Sequence, residues 1–167
     1  MPKDSGFSIT ELMIAVAIFS ILAAIAVPNF INWRNNAQLS RAARDVYSIF
    51  QKAKLEAVRR NMTCTITFSV NGYTVYVDSN QSLTLDGGEE VIRSRNWSEF
   101  SGVGLDASAG GGDGLSFANP DNSIAFAPDG LPRNNLNSLG SGTVFLTYQG
   151  NRQSTVTIST AGNIRID

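Results

Sequence analysis

Few residues in this chain could do chemistry, and one of them stands in an unusual place. Glu11 opens an apolar run in which Ser20 is the only polar residue from Leu12 to Val27. A charge at the edge of a membrane-length segment is costly in hydrocarbon, so such a residue usually has a partner. The sequence therefore predicts that some other group pairs with Glu11.

Catalytic groups are scarce in the rest of the chain. There is no histidine among the 167 residues, which removes the commonest general base and the commonest metal ligand. No nucleophile elbow and no distinctive pair of carboxylates is recognisable. We therefore expect a protein that is not an enzyme and that holds no metal and no cofactor. Cys64 is the only cysteine, so no internal disulfide can form, and we expect its side chain to be buried at the start of a strand.

Two glycine-containing segments have compositions that could suit binding loops. The stretch "DASAGGGDG" (Asp106–Gly114) lacks the Lys and Ser/Thr of a phosphate loop and the ligand spacing of a calcium loop, which predicts a surface loop. The stretch "APDG" (Ala127–Gly130) has the composition of a turn. The alternative for this turn is a contact with a neighbouring subunit.

Charge divides the chain into two parts of opposite sign. Residues 1–60 contain eight Lys/Arg and four Asp/Glu, whereas residues 61–167 contain five Arg and ten Asp/Glu. The second part is therefore acidic, and an acidic domain does not attract nucleic acid through its overall field.

A single long helix is predicted at the N-terminus, from about Ser8 to Arg60, with Pro28 as a kink. Its first half is apolar and, together with its flanks, approaches the roughly 20 residues that span a bilayer. Its second half carries an apolar stripe at helical spacing. The stripe consists of Leu39, Ala42, Val46, Ile49, Phe50, Ala53 and Ala57.

Orientation in the membrane is not simple to predict from charge. Lys3 and the amino terminus lie before the apolar run, and Asp4 offsets them, whereas Arg34, Arg41 and Arg44 follow it. The positive-inside rule would therefore place the C-terminal part in the cytoplasm.

The stretch "GFSITELMIAVAI" (Gly6–Ile18) closely resembles the class III signal of type IV prepilins and type II secretion pseudopilins. The resemblance implies a leader, residues 1–6, that a prepilin peptidase removes between Gly6 and Phe7. It also implies methylation of the new amino terminus on Phe7, and roles in subunit assembly for Glu11 and Pro28. The family places its C-terminal domain outside the cytoplasm, and we adopt that orientation in preference to the charge count.

The C-terminal part resembles the GspH/FimT group of minor pseudopilins. "SIAFAPDGLPRN" (Ser123–Asn134) carries an F-x-P-x-G pattern at Phe126, Pro128 and Gly130. The chain then ends in an I-S-x-x-G-x-x-R pattern at Ile158, Ser159, Gly162 and Arg165. Relatives implicated in DNA uptake carry a more basic G-R-x-R motif near the C-terminus. The matching residues here, Gly162 to Arg165, read G-N-I-R, so Asn163 replaces one arginine.

The fold class predicted is α+β, with a type IV pilin-like arrangement of a long helix packed on antiparallel sheet. The expected segments are a leader (1–6), an apolar membrane-spanning helix half (7–30), an amphipathic helix half (31–61) and a β-rich domain (62–167). Strands are predicted by alternation, and the Asn71–Gly72 pair predicts a hairpin. The predicted strands are 63–70, 73–78, 89–97, 114–117, 123–128, 142–150 and 153–166, the last ending in a short final strand.

Three functions are compatible with the sequence. The first is a minor pilin or pseudopilin near a filament tip, anchored in the inner membrane with its domain in the periplasm, whose partners are other pilins and the prepilin peptidase. In it, Glu11 pairs with the Phe7 amine of a neighbouring subunit. The second is a FimT-like DNA-capturing pilin that uses Arg133, Arg152 and Arg165. The third, a monomeric signal-anchored domain with its own ligand, leaves Gly6 and Glu11 unexplained.

Overall fold

The computed structural model describes residues 7–117, 122–134, 138–150 and 152–167. Helix α1 runs over Ile9–Arg60, which confirms the predicted long helix. The chain divides into two compact units between Asn35 and Asn36. The proposed segment boundaries at 6, 30 and 61 stay a prediction.

In the first unit the helix continues through Pro28. Proline lacks a backbone N–H and interrupts the helical hydrogen-bond ladder, so this position is a local weak point in an otherwise regular element. The large apolar side chains of this unit are exposed.

In the second unit the predicted apolar stripe is confirmed. Its seven residues are all buried, together with Ala43. Four of the buried positions are alanines, which leave room for sheet side chains to approach the helix closely. Phe50 fills part of that space, with its ring centroid 5.9 Å from that of Phe68 and 6.4 Å from that of Phe126.

Within the described residues of the second unit, nine strands form two antiparallel sheets. The five-stranded sheet has the order β3-β2-β1-β5-β6, and the four-stranded sheet has the order β4-β7-β8-β9. The strands are β1 (Cys64–Ser69), β2 (Gly72–Val77), β3 (Val91–Asn96), β4 (Val103–Leu105), β5 (Ser123–Phe126), β6 (Pro132–Arg133), β7 (Gly142–Tyr148), β8 (Arg152–Ile158) and β9 (Ile164–Ile166). A short 3₁₀ helix, Trp97–Glu99, follows β3.

The predicted hairpin between β1 and β2 is present, but its glycine has a different role. Ser69 is paired with Gly72, so the two loop residues are Val70 and Asn71. A Cβ on Gly72 would lie 1.9 Å from the carbonyl oxygen of Arg95 on β3. The glycine is therefore required because β3 approaches closely, and the Asn-Gly pair does not form the centre of the turn.

The predicted strand 114–117 is wrong. Leu115 makes a single bridge to Val144, and the rest of that edge of β7 is paired with β4, which alternation did not predict. β4 is only three residues long and contains Gly104, so it is too short to produce a recognisable pattern. Strand β6 has only two residues and was not predicted for the same reason.

The segment after β2 covers the outer face of the five-stranded sheet. Leu83 is buried there although its φ of +61° lies in the left-handed region. The buried Asp78 carboxylate holds the segment in place by accepting from the backbone N–H of Ser82 and of Leu83, each at 3.0 Å. Its Oδ2 also accepts from the Thr65 hydroxyl at 2.8 Å. A polar sheet face is thus buried with its hydrogen bonds satisfied.

Candidate assembly site

The start of helix α1 is capped by its own side chains. Glu11 Oε2 accepts a hydrogen bond from the backbone N–H of Ser8 at 3.0 Å. The Ser8 hydroxyl accepts from the backbone N–H of Thr10 at 3.3 Å. This is a variant of the capping box, in which the serine hydroxyl caps Thr10 and not Glu11. The side chains satisfy N–H groups that have no partner within the helix. The sequence analysis did not predict this cap, although the Ser-x-x-Glu spacing of Ser8 and Glu11 is a signal for it.

Within the described residues, the Oε1 atom of Glu11 accepts no hydrogen bond. Only Oε2 takes part in the capping box, and a carboxylate can accept at both oxygens. The geometry therefore permits a second donor on Oε1 without loss of the cap.

An apolar surface follows the capping box. Phe7 is 88% exposed and Phe19 is 73% exposed. The other large exposed side chains up to Ile31 are Ile9, Leu12, Met13, Ile14, Val16, Ile18, Ile21, Leu22, Ile25, Val27, Phe30 and Ile31. The helix is long and apolar enough to cross a membrane, and its most apolar window is not buried by any other part of the chain that the structure describes. So large an apolar surface is not stable in water and needs lipid or neighbouring helices.

In the second unit, helix α1 is joined to two turns by Lys54. Its Nζ donates to the carbonyl oxygen of Gly162 at 3.2 Å. Gly162 and Gly130 both have positive φ, at +76° and +77°. A Cβ on Gly162 would lie 3.3 Å from the carbonyl oxygen of Gly130. The turn at Gly130 is closed by its own N–H, which donates to the Ala127 carbonyl at 2.9 Å, as predicted.

A second polar junction is centred on Asp45, whose side chain is only 11% exposed. Its Oδ1 accepts from Arg93 at 2.9 Å and from Arg95 at 3.1 Å, and its Oδ2 accepts from the Tyr73 hydroxyl. Burial and the bond to Asp45 raise the pKa of Tyr73 well above its usual range. The carboxylate thus ties helix α1 to β2 and β3. Sequence reasoning did not single out any of these four residues as a site.

The sequence is similar to two known families. The family model described as type II transport protein GspH matches residues 42–162. The chain belongs to this family. A second model, the prokaryotic N-terminal methylation motif, matches residues 1–27.

Relatives of two kinds are found. The pilin-like protein PilA1 of Thermus thermophilus is 28% identical over 169 residues, which covers 97% of each chain. The type IV major pilin protein PilA of Myxococcus xanthus is 43% identical over 53 residues, which is 32% of this chain and only 24% of that protein. The second likeness therefore concerns about a quarter of the relative's length.

Solved structures show the same fold. The type IV minor pilin FimU of Pseudomonas aeruginosa aligns with a TM-score of 0.55 at 15% identity, covering 81% of this chain and 92% of that one. The minor pseudopilin EpsH from the Type 2 Secretion System of Vibrio cholerae aligns with a TM-score of 0.53 at 15% identity, covering 77% and 95%. The fold is therefore the type IV pilin-like α+β fold, as predicted. Family and fold are those of structural pilins, and the role is that of a minor pilin or pseudopilin.

The two GspH-type motifs meet in the folded domain. Pro128 and Gly130 of the first motif form the turn after β5, and Gly162 of the second lies between β8 and β9. Phe126 and Ile158 of the same motifs are buried in the core. The motif residues thus fix the packing of two turns on Lys54, which is a structural role.

The structure does not bring the three arginines proposed for DNA together as a free basic patch. Arg133 is paired with Asp129, Arg165 with Asp167 at 2.8 Å, and Arg152 donates to Asn36. Arg133 borders a cleft of about 380 Å³ beside Leu83, where Asp129 neutralises its charge.

Four further predictions concern Gly6 and Phe7, the loop Asp106–Gly114, Cys64 and metal binding. Gly6 lies outside the described residues, and Phe7 is the first residue described. Asp106–Gly114 is a surface loop, as predicted, whose Asp106 accepts from Gln153 at 2.8 Å. Cys64 is free and fully buried, which confirms that prediction, and burial raises the pKa of its thiol to about 11. No group of three or more potential metal-ligating side chains occurs within the described residues.

Proposed function

We propose that this chain is a minor subunit at or near the tip of a type II secretion pseudopilus or type IV pilus, where it serves assembly initiation or protein secretion. The observation that carries this proposal is the capped Glu11 at the head of an exposed apolar helix in a chain of the GspH family. An apolar surface of this length is stable in a bilayer and can be transferred to a bundle of like helices in a filament.

Maturation is the first step of the proposed role. A prepilin peptidase cleaves between Gly6 and Phe7 and methylates the Phe7 amine. The match of the methylation motif to residues 1–27 supports this step. Cleavage creates a positively charged amine on Phe7, which can pair with Glu11 of a neighbouring subunit.

Assembly then pairs Glu11 of one subunit with the Phe7 amine of a neighbour. Oε2 remains bound to Ser8 N–H, so Oε1 is the oxygen we assign to the neighbour's amine. Either charge alone in an apolar filament interior is costly, and the pair offsets much of that cost. Pro28 interrupts the hydrogen-bond ladder of the helix, which lets the segment adjust its direction between neighbouring helices.

The proposed role implies a position in the membrane for the unassembled subunit. Before assembly, the helix spans the inner membrane once, with residues 1–6 in the cytoplasm and the C-terminal domain in the periplasm. The membrane-length helix and the methylation motif support an anchored subunit of this kind.

Other functions have less support. Enzymatic activity is not proposed, because the chain has no histidine and the carboxylates of Asp45 and Asp78 accept hydrogen bonds from groups of the same domain. DNA capture is disfavoured by the contacts of Arg133, Arg152 and Arg165 with acceptors of the same chain. Three phosphate contacts from engaged arginines would give weak and salt-sensitive binding.

Processing is tested by co-expression of the full chain with a prepilin peptidase, followed by mass spectrometry of the purified product. Loss of residues 1–6 and one added methyl group on Phe7 is expected. Gly6→Val is the control and should stay uncut. An uncut wild-type chain in the presence of a peptidase that cleaves a known prepilin would overturn the proposed function.

Assembly is tested with Glu11→Val and Glu11→Ala in cells that build the filament. Both variants should be cleaved and folded like the wild type but depleted from sheared filaments. Ser20→Ala, a change in the same apolar segment, should be incorporated normally. Normal incorporation of the Glu11 variants would contradict the proposed pairing.

A further inference from the structure

The end of the apolar segment carries an aromatic pair. The rings of Phe30 and Trp33 lie 5.7 Å apart with an angle of 34° between their planes. The two residues are three positions apart and therefore lie on one face of the helix. Both side chains are exposed, and that of Trp33 is 65% exposed. Arg34 follows directly, and none of its contacts within the described residues is a salt bridge. Exposed Trp beside a cation is the composition of a membrane–water boundary.

The other end of the segment is polar as well. Ser8, Thr10 and Glu11 are linked by the capping box, which exposes their polar atoms at the start of the helix. Between the two ends, the one polar side chain from Leu12 to Val27 is satisfied internally, because the Ser20 hydroxyl donates to the Val16 carbonyl at 2.7 Å. Nothing in that run requires water.

The separation of the two ends matches a bilayer. Glu11 and Trp33 are 22 positions apart in the sequence, which corresponds to about 33 Å along a helix at 1.5 Å per residue. The hydrocarbon core of a bilayer is about 30 Å thick. If Trp33 lies at one boundary, Glu11 therefore lies at the opposite boundary and not within the hydrocarbon.

We propose that Phe30 and Trp33 form an interfacial anchor that binds the phospholipid headgroup region and sets the depth of the helix, so that the Ser8–Glu11 capping box lies at the opposite headgroup region. This inference rests on the membrane-anchored role proposed above and adds a lipid contact to it. It also changes the energetics of Glu11. In the free subunit the carboxylate is hydrated and capped, and it loses water only when the helix enters a filament. The requirement for a partner amine thus begins at assembly.

The depth of helix α1 in the bilayer is tested with single-cysteine variants of the full chain in permeabilised dioleoylphosphatidylcholine vesicles. Leu12→Cys, next to Glu11, is compared with Leu22→Cys at the middle of the span, both with Cys64→Ala. Alkylation by N-ethylmaleimide needs the hydrated thiolate. We expect Leu12→Cys to react at least tenfold faster than Leu22→Cys. Equal, slow rates at both positions would overturn the inference.

The anchor itself is tested by moving the tryptophan one helical turn. Asn29→Trp combined with Trp33→Asn keeps the composition and the helix face. The new tryptophan is only 17 positions after residue 12, about 26 Å away along the helix. Residue 12 is then drawn into the hydrocarbon, and alkylation of Leu12→Cys should fall severalfold. An unchanged rate would show that Phe30 and Trp33 do not set the depth.

Membrane insertion is measured separately by alkaline extraction of the same vesicles. A chain that resists extraction but shows equal rates at residues 12 and 22 contradicts the depth inference and leaves the proposed function intact. A chain that is released by alkali contradicts membrane anchoring, and with it the proposed function.

Discussion

The ammonium group of Lys54 on helix α1 donates a hydrogen bond to the backbone carbonyl of Gly162, 108 residues later in the chain, at 3.2 Å. The contact joins the helix to the turn between β8 and β9. A Cβ on Gly130, in the turn after β5, would lie 3.4 Å from Cε of the same lysine. Lys54 is therefore hydrogen-bonded to one of the two turns that carry the GspH-type motifs and lies beside the other.

Lys54→Met should destabilise the domain by about 1 kcal/mol, because it removes one partly buried hydrogen bond but keeps the apolar stem of the side chain. The measurement is urea unfolding followed by circular dichroism. Lys52→Met is the control. Lys52 is exposed, so its loss should change the free energy of unfolding by less than about 0.5 kcal/mol. Equal effects of the two variants would show that the bond to Gly162 does not stabilise the fold.

Gly162→Ala should destabilise the domain more than Gly150→Ala. Both glycines have positive φ, +76° and +74°, so both variants introduce the same backbone strain. Only at Gly162 does the new Cβ meet other atoms, 3.2 Å from Lys54 Nζ and 3.3 Å from the Gly130 carbonyl. We expect a difference of about 1 kcal/mol in the free energy of unfolding from this crowding. Indistinguishable variants would mean that the two turns separate easily.

Asp45→Asn should destabilise the domain by about 2 kcal/mol. The change removes the negative charge that compensates Arg93 and Arg95 in a largely buried setting. Glu99→Gln is the matched control, because Glu99 also contacts Arg95, at 3.3 Å, but is half exposed. Its effect should stay below about 0.5 kcal/mol. A thermal unfolding series at constant ionic strength distinguishes the two, and similar melting temperatures would contradict a special role for Asp45.

The free energy of unfolding should fall with pH above pH 9. Burial raises the pKa of Cys64 from its usual 9 to about 11. A raised pKa in the folded state contributes stability that is complete below the pKa of the unfolded thiol and is lost as the pH rises toward 11. Over this range one such group changes the free energy of unfolding by at most about 1.4 kcal/mol per pH unit.

Cys64→Ala isolates this contribution. Between pH 9 and 10, the stability of the variant should fall less steeply than that of the wild type, whatever the difference between the two proteins at pH 7. The range stops at pH 10 because burial also raises the pKa of Tyr76, to about 12, and that group adds its own slope at higher pH. Parallel curves below pH 10 would contradict an ionisable, buried thiol.

Much of the fold was predictable because it follows from local periodicity. The helix that ends at Arg60, its buried stripe from Leu39 to Ala57 and the hairpin of β7 and β8 repeat their patterns over enough residues to be recognised. β4 and β6 have three and two residues, and they exist because a neighbouring strand offers an open edge. Such pairing depends on contacts far apart in sequence, which periodicity does not contain.

The sequence by itself determined the membrane-length helix, the unusual placement of Glu11 and the positions of the two glycine motifs, because these are properties of residue type and spacing along one chain. Only the tertiary structure decided that Lys54 donates to Gly162 beside the turn at Gly130, and that Asp45 forms salt bridges with Arg93 and Arg95. It also decided that Arg133 and Arg165 are paired with carboxylates. The physical reason is that a side chain's charge or hydrogen-bonding capacity is a local property. Whether it is already satisfied depends on which distant residues the fold places within about 3 Å of it.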